Sequence, residues 1–191
     1  MATAEGMSGD GLTTDNGPMT KDPYRTALFP GTFDPITLGH LDVIRRGRLL
    51  FEHLVVGIGV NPNKMSLFTV EERVEMARLV TGPFGNVSVE SFEGLTVQYV
   101  RRLGARVILR GLRTLSDMEY EFGMTLTNHR LDPSIDTVFL MADAEYSHVS
   151  SSLIKQVARY GGPESLRRFV PDELVGPIHA KAAKADGWLT S

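Results

Sequence analysis

The 191-residue chain contains no cysteine. That excludes a disulfide framework, Cys-ligated zinc, iron–sulfur clusters and a Cys nucleophile. No stretch approaches the ~20 apolar residues that a bilayer-spanning helix needs. There is no excess of positive charge: 20 Lys and Arg face 23 Asp and Glu, for a formal net charge of −3. A general nucleic-acid binder carries a basic footprint, so neither a nucleic-acid nor a membrane partner is expected. His53, His129 and His179 are scattered without a carboxylate at ligand spacing, so they make no zinc site. A small cluster of cations aimed at a phosphate remains compatible with all of these absences.

What is present is ordinary globular composition, with 42% apolar, 8% aromatic and 23% charged residues. At roughly 150 residues per domain, one domain with tails is expected. Residues 1–22 have neither a basic start nor an apolar h-region, so they do not read as a secretory signal. Their Gly, Thr and Asp content reads as a disordered extension. The domain itself is expected over residues 25–182, followed by a frayed tail over 183–191. A cytoplasmic setting is inferred.

Short β-rich apolar runs alternate with segments of helical period. Strands are expected at Thr26–Phe29, His53–Val60, Val87–Glu90, Arg106–Leu109 and Asp136–Met141. Helices are expected at Leu41–Phe51, Thr69–Val80, Thr96–Leu103, Ser116–Leu131, Ser150–Tyr160, Glu164–Phe169 and Pro171–Ala183. The helix at Thr69 has the best start signal, a capping box completed by Glu72. Glu71, Glu72 and Arg73 on it read as a solvated face. Leu41, Ile44, Leu49 and Leu50 read as the apolar side of the first helix. Strand–helix repetition implies an α/β, doubly wound, Rossmann-like domain: a five-stranded parallel sheet with helices on both faces. In such sheets ligands bind beyond the carboxyl ends of the strands, so the loops there carry the functional reading.

The first loop, Pro30-Gly31-Thr32-Phe33-Asp34-Pro35-Ile36-Thr37-Leu38-Gly39-His40, combines glycines, hydroxyls and a helix N-terminus, which together suit an anion. It is neither a Walker A loop nor a G-x-G-x-x-G fingerprint. The second loop carries one cation, Lys64. In the fourth, Arg110 and Arg113 stand at the end of a buried strand. Guanidinium forks bind oxyanions bidentately, which favours phosphate recognition; salt bridges to Asp117, Glu119 or Glu121 are the competing reading. Met124 and Asn128 share a helical face with Glu121, with core packing the default for Met124. The fifth loop places Ser150, Ser151 and Ser152 at a helix start, a hydroxyl-rich cap suited to phosphate.

Thr37-Leu38-Gly39-His40 matches the T/H-x-G-H motif of the nucleotidyltransferase superfamily that also includes class I aminoacyl-tRNA synthetases. The longer string PGTFDPITLGH resembles the bacterial phosphopantetheine adenylyltransferases. NPNK-x(4)-T-x-x-E-R, RGLR with D-x-E-Y-E, and Y-S-x-V-S-S-S-x-x-K match the same family in register over about residues 25–182. The resemblance implies adenylyl transfer from ATP to 4′-phosphopantetheine, giving dephospho-coenzyme A and pyrophosphate, the penultimate step of coenzyme A synthesis. It implies His40, Lys64 and Arg110 at the reacting phosphates. Thr32, Lys64, Leu95, Thr96, Arg110, Met124 and Asn128 would meet phosphopantetheine. Thr32, Phe33, His40, Gly111, Leu112, Arg113, Glu121 and the loop Tyr146, Ser147, His148, Val149, Ser150, Ser151 and Ser152 would meet ATP, with no role of its own assigned to His148. Mg2+ is implied as cofactor, held mainly by ATP phosphates with no protein metal ligands. A homohexamer and feedback inhibition by coenzyme A are also implied. Thr96 stands where other members often carry Met, and Gly123 where a larger residue is common. Two alternatives stay open: adenylyl transfer to another phosphate, such as nicotinamide mononucleotide or glycerol 3-phosphate, and a catalytically dead nucleotide sensor.

Overall fold

The computed structural model describes residues 22, 24–61 and 65–184. The expected N-terminal extension up to residue 21, Lys64 and most of the expected tail lie outside the described residues. The strands are β1 (Thr26–Gly31), β2 (His53–Val60), β3 (Val87–Glu93), β4 (Val107–Leu112) and β5 (Asp136–Met141). The helices are α1 (Leu38–Gly47), α2 (Val70–Thr81), α3 (Thr96–Arg102), α4 (Leu115–Leu131), α5 (Ser151–Tyr160), α6 (Pro163–Leu166) and α7 (Asp172–Lys184). A single 3₁₀ turn at Ala144–Tyr146 was not expected from the sequence.

All five strands are parallel, in the order β3-β2-β1-β4-β5. The central strands alternate between two cores, as a period of two requires. Ala27, Phe29, Leu54, Val56, Ile58, Val107 and Leu109 face a core shared with α1, α2, α5 and α7. Leu28, Val55 and Ile108 face the opposite side, against Val97, Tyr99 and Val100 of α3. Helices therefore cover both faces. The central Leu and Ile side chains are fully buried, each worth roughly 1.5–3 kcal/mol of transfer free energy. Among the described residues no helix is long and apolar enough to cross a membrane.

Three expectations are corrected. α1 starts at Leu38 and stops at Gly47, so Leu49 and Leu50 lie beyond its end and are exposed. β1 and β4 run on to Gly31 and Leu112, which puts Arg110 and Gly111 inside a strand. Arg73 is not on a solvated face but buried, 4% exposed. It lies in phase with Ala77 and Thr81, four residues apart on the buried stripe of α2.

Candidate active site

The strand order reverses beside β1. Strands β2 and β3 extend one edge and β4 and β5 the other, so the loops after β1 and β4 diverge from one point. Such a switch point leaves a crevice at the carboxyl ends of the strands. A cleft of about 370 Å³ occupies it, lined among others by Thr32, His40, Arg110, Arg113 and Ser150–Ser152. Gly111 lets α1 lie close against β4, because an added Cβ would stand 2.9 Å from Val43 Cγ2.

Local chemistry fixes His40. Thr37 is the N-cap of α1 and His40 is residue N3. The Thr37 hydroxyl accepts from His40 N–H at 3.3 Å, and His40 Nδ1 accepts from Thr37 N–H at 3.1 Å. Histidine thus fills the place that Glu or Gln takes in a common capping box. Because Nδ1 is an acceptor, the neutral ring carries its proton on Nε2. Burial, then the charges of Arg113 and Arg110, push the His40 pKa down to about 4. At neutral pH the site therefore holds a neutral imidazole with one N–H to donate.

That depression has a stability consequence. An unfolded histidine titrates near 6.5, so between pH 6.5 and 4 the unfolded chain binds the extra proton. Stability is then lost as pH falls through that window. Urea unfolding at pH 7 and pH 5 should show a larger drop for the unmodified chain than for His40→Gln. Equal drops would contradict the assignment.

The rest of the first loop is held by charge. Asp34, 2% exposed, accepts from Leu67 N–H and Phe68 N–H at 2.9 Å each and from Lys155 Nζ at 2.6 Å. One carboxylate thereby ties together the loops after β1 and β2 and helix α5. From below, Arg73 Nη1 donates to the Thr32 carbonyl at 2.8 Å and its Nε to the Thr69 carbonyl at 3.3 Å. Between these anchors Phe33 takes a left-handed backbone, φ 48°, a conformation that costs a non-glycine residue on the order of 1–3 kcal/mol. Asp34, Arg73 and Lys155 received no role from the sequence. The available signal was the apolar phase of Arg73.

Arg110 at the end of β4 and Arg113 in the loop after it are both paired, as the competing reading expected. Arg110 donates through Nε to Glu121 Oε2 at 2.7 Å, through Nη2 to Glu121 Oε1, and through Nη1 to the Pro30 carbonyl at 2.6 Å. Arg113 holds Asp117 through Nε at 2.9 Å and the Val149 carbonyl through Nη1 at 2.8 Å. The Val149 bond joins the loops after β4 and β5. Ser151 joins the fifth loop to the first by donating to the Pro35 carbonyl at 2.9 Å. Ser150 is the N-cap of α5 and not its first residue. Pairing does not exhaust Arg110. A guanidinium has five N–H groups, and three are used among the described residues.

A second cleft, about 360 Å³, lies on the other side of Arg110. It is lined by Thr96, Tyr120, Met124, Asn128 and Phe92 among others. Met124 is 41% exposed, so the core-packing default fails for it. The two clefts share Pro30, Gly31, Thr32, Arg110 and Glu121. Of the expected site residues, Thr32, Phe33, His40, Arg110, Gly111, Arg113, Glu121 and Val149–Ser152 line the first cleft. Thr96, Met124 and Asn128 line the second. Leu95, Leu112, Tyr146, Ser147 and His148 line neither. Leu112 is buried in the core and Leu95 is exposed. Tyr146 instead packs beside Gly39. Lys64 lies outside the described residues.

A parallel sheet with a polar crevice at its switch point, walled by a histidine-bearing helix start, two arginines and a serine-rich helix start, defines a nucleotidyltransferase-type fold and site. Comparison agrees. Residues 28–157 match the model of the cytidylyltransferase-like family. The chain is 49% identical to the phosphopantetheine adenylyltransferase of Clostridium botulinum strain Hall over 157 residues, 82% of this chain and 94% of that protein. It is 47% identical to the phosphopantetheine adenylyltransferase of Lachnoclostridium phytofermentans, covering 82% and 95%. A solved structure of Plasmodium falciparum nicotinic acid mononucleotide adenylyltransferase shares the fold, with TM-score 0.59, 11% identity, and 81% and 94% of the two chains covered. The chain belongs to the cytidylyltransferase-like family and, within it, to the phosphopantetheine adenylyltransferases.

Proposed function

We propose that the chain transfers the adenylyl group of ATP to 4′-phosphopantetheine, releasing dephospho-coenzyme A and pyrophosphate. The observation that carries this reading is the meeting of two clefts at Thr32, Arg110 and Glu121. ATP occupies the cleft that holds His40 and the N-terminus of α5, where free backbone N–H groups and the helix dipole favour phosphate. Phosphopantetheine occupies the cleft of Met124, Phe92 and Asn128, where an apolar wall suits its arm. Its phosphate then lies at Arg110, facing the α-phosphate of ATP.

An oxygen of the acceptor phosphate attacks the α-phosphorus in line. A new P–O bond forms, and the bond to the β-phosphate oxygen breaks with its electron pair leaving on pyrophosphate. The acceptor phosphate is largely ionised near neutral pH, so no general base is needed. The protein aligns two polyanions and stabilises the pentacoordinate phosphorus. His40 Nε2–H donates to an α-phosphate oxygen, held there through Nδ1 by Thr37. The two remaining N–H groups of Arg110 take the acceptor phosphate, with Glu121 and the Pro30 carbonyl fixing the guanidinium plane. Lys64 joins them on the strength of the sequence resemblance alone.

Mg2+, implied by the resemblance, would come bound to the ATP phosphates and would screen their charge. Among the described residues no cluster of three or more His, Asp or Glu is poised to hold a metal ion. Each carboxylate lining the ATP cleft, Asp34, Asp117 and Glu121, already has a cationic partner. That donor set fits a metal carried by phosphates and water. Coenzyme A, spanning both clefts, would inhibit as a product-like occupant. Leu115, Met118, Phe122 and Leu126 form an exposed apolar stripe along α4, which supports self-assembly through that face, a hexamer by the resemblance.

Arg110→Ala tests the assignment of subsites. Losing charge-assisted hydrogen bonds at about 1.5–3 kcal/mol should raise the phosphopantetheine KM by roughly ten- to a hundredfold, with a smaller loss for ATP through Glu121, which loses its partner. Calorimetry with each substrate separates the two. An effect on ATP alone would mean that the subsites are reversed.

A further inference from the structure

Phe33 lines the first cleft, as expected of an ATP-binding residue, but is only 2% exposed. What it touches is His40. The two rings meet edge to face, with centroids 5.0 Å apart and planes at 71°. Behind it, Phe29 packs at 5.4 Å in the same manner. The ring reaches this place because the backbone of Phe33 is left-handed, φ 48°. It lies folded back over Gly31, where an added Cβ would stand 2.8 Å from the ring atoms Cε2 and Cζ. Arg73 grips the carbonyl just before Phe33, and Asp34 just after it is held at three points. A phenylalanine is thus kept in a backbone region that glycine would enter freely, by contacts on both sides of it.

We propose that Phe33 is a positioning residue: its ring covers one side of the half-buried His40 imidazole, shielding that side from water and holding it in register with the Thr37 cap. The proposal rests on the role given to His40 in adenylyl transfer. The physical chain is short. A shielded imidazole resists protonation, since loss of water contact penalises the charged form. A protonated Nδ1 could no longer accept from Thr37 N–H and would turn instead to the Thr37 hydroxyl, 2.9 Å away, so the reciprocal box would be lost and Nε2 would shift its aim. The other charged groups lining that cleft are Arg110 and Arg113 from the β4 side, Asp117 and Glu121 from α4, Asp34 from the loop and Lys155 from α5. The two guanidiniums also oppose protonation, in the same direction as the Phe33 ring.

Phe33→Gly removes the ring while suiting the left-handed backbone. In a carbon–proton NMR titration of the histidine side chains, the His40 midpoint should rise from about 4 by at least about one unit toward the ordinary 6.5. Below pH 6 protonation of the acceptor phosphate lowers kcat/KM of both proteins, so the readout is their ratio: for a midpoint raised to about 5.5, the variant should fall about twofold further than the unmodified chain between pH 7.5 and pH 5.5. Phe33→Leu, which keeps an apolar cover, should return the midpoint most of the way. Gly31→Ala reaches the same contact without altering either ring, because its new methyl must displace Phe33, and should shift the midpoint upward as well. A folded Phe33→Gly or Gly31→Ala protein whose His40 titration is unmoved would overturn the proposal. The titration needs no turnover, so it can fail or succeed independently of the assigned reaction, which His40→Ala tests.

Discussion

Replacing His40 with alanine is expected to lower turnover by about a hundred- to a thousand-fold, the loss typical of one preorganised donor to a developing oxyanion. The fold should survive. Thr37 still caps α1 through its own hydroxyl, so only half of the capping box is lost, a cost of about 1 kcal/mol or less. ATP should bind within a few-fold of normal, because the α5 N-terminus and Arg113 remain. Steady-state turnover, with a thermal melt as the control on folding, checks this. A melt unchanged and a kcat near that of the unmodified chain would remove His40 from the chemistry.

The second large effect falls on stability. Asp34→Asn removes the charge partner that Lys155 makes among the described residues and weakens two backbone anchors. Removing one member of a buried ion pair costs about 3–5 kcal/mol. Lys155 keeps 22% of its side-chain exposure, so water can reach its ammonium and the low end, about 3 kcal/mol, is expected. Urea unfolding gives the number directly through the midpoint at constant slope. A loss below about 1 kcal/mol would show that this carboxylate is not what holds the three segments together. Activity should fall as well, since the Thr32–Phe33 corner would be free to relax.

The two predictions also mark what a linear sequence reveals. The parallel sheet was legible because central parallel strands read as unbroken apolar runs, as LVVGIGV does at β2. The start of α2 was legible because T-x-x-E is a local signal, and Thr69 and Glu72 do form the box. The start of α1 was misplaced because its box uses His40 at N3, a residue that no capping rule favours, while Leu49 and Leu50 imitated a continuing stripe. The phase of Arg73 with Ala77 and Thr81 signals its burial, but nothing local says that the N-terminal turn of α2 lies under the loop after β1. That proximity follows from β1 and β2 being neighbours in the sheet. Likewise Arg110 and Glu121 were recognisable as candidate partners, but their place between two clefts depends on β4 lying beside β1. Motif spacing names residues, whereas strand order decides which of them meet.

The most direct test of the assigned reaction is a coupled product assay with purified chain, ATP, Mg2+ and a panel of phosphate acceptors. Dephospho-coenzyme A and pyrophosphate should form in equal amounts from 4′-phosphopantetheine, with nicotinamide mononucleotide and glycerol 3-phosphate far poorer acceptors. Pyrophosphate release with either of those acceptors and none with phosphopantetheine, or ATP binding with no turnover on any acceptor, would contradict it.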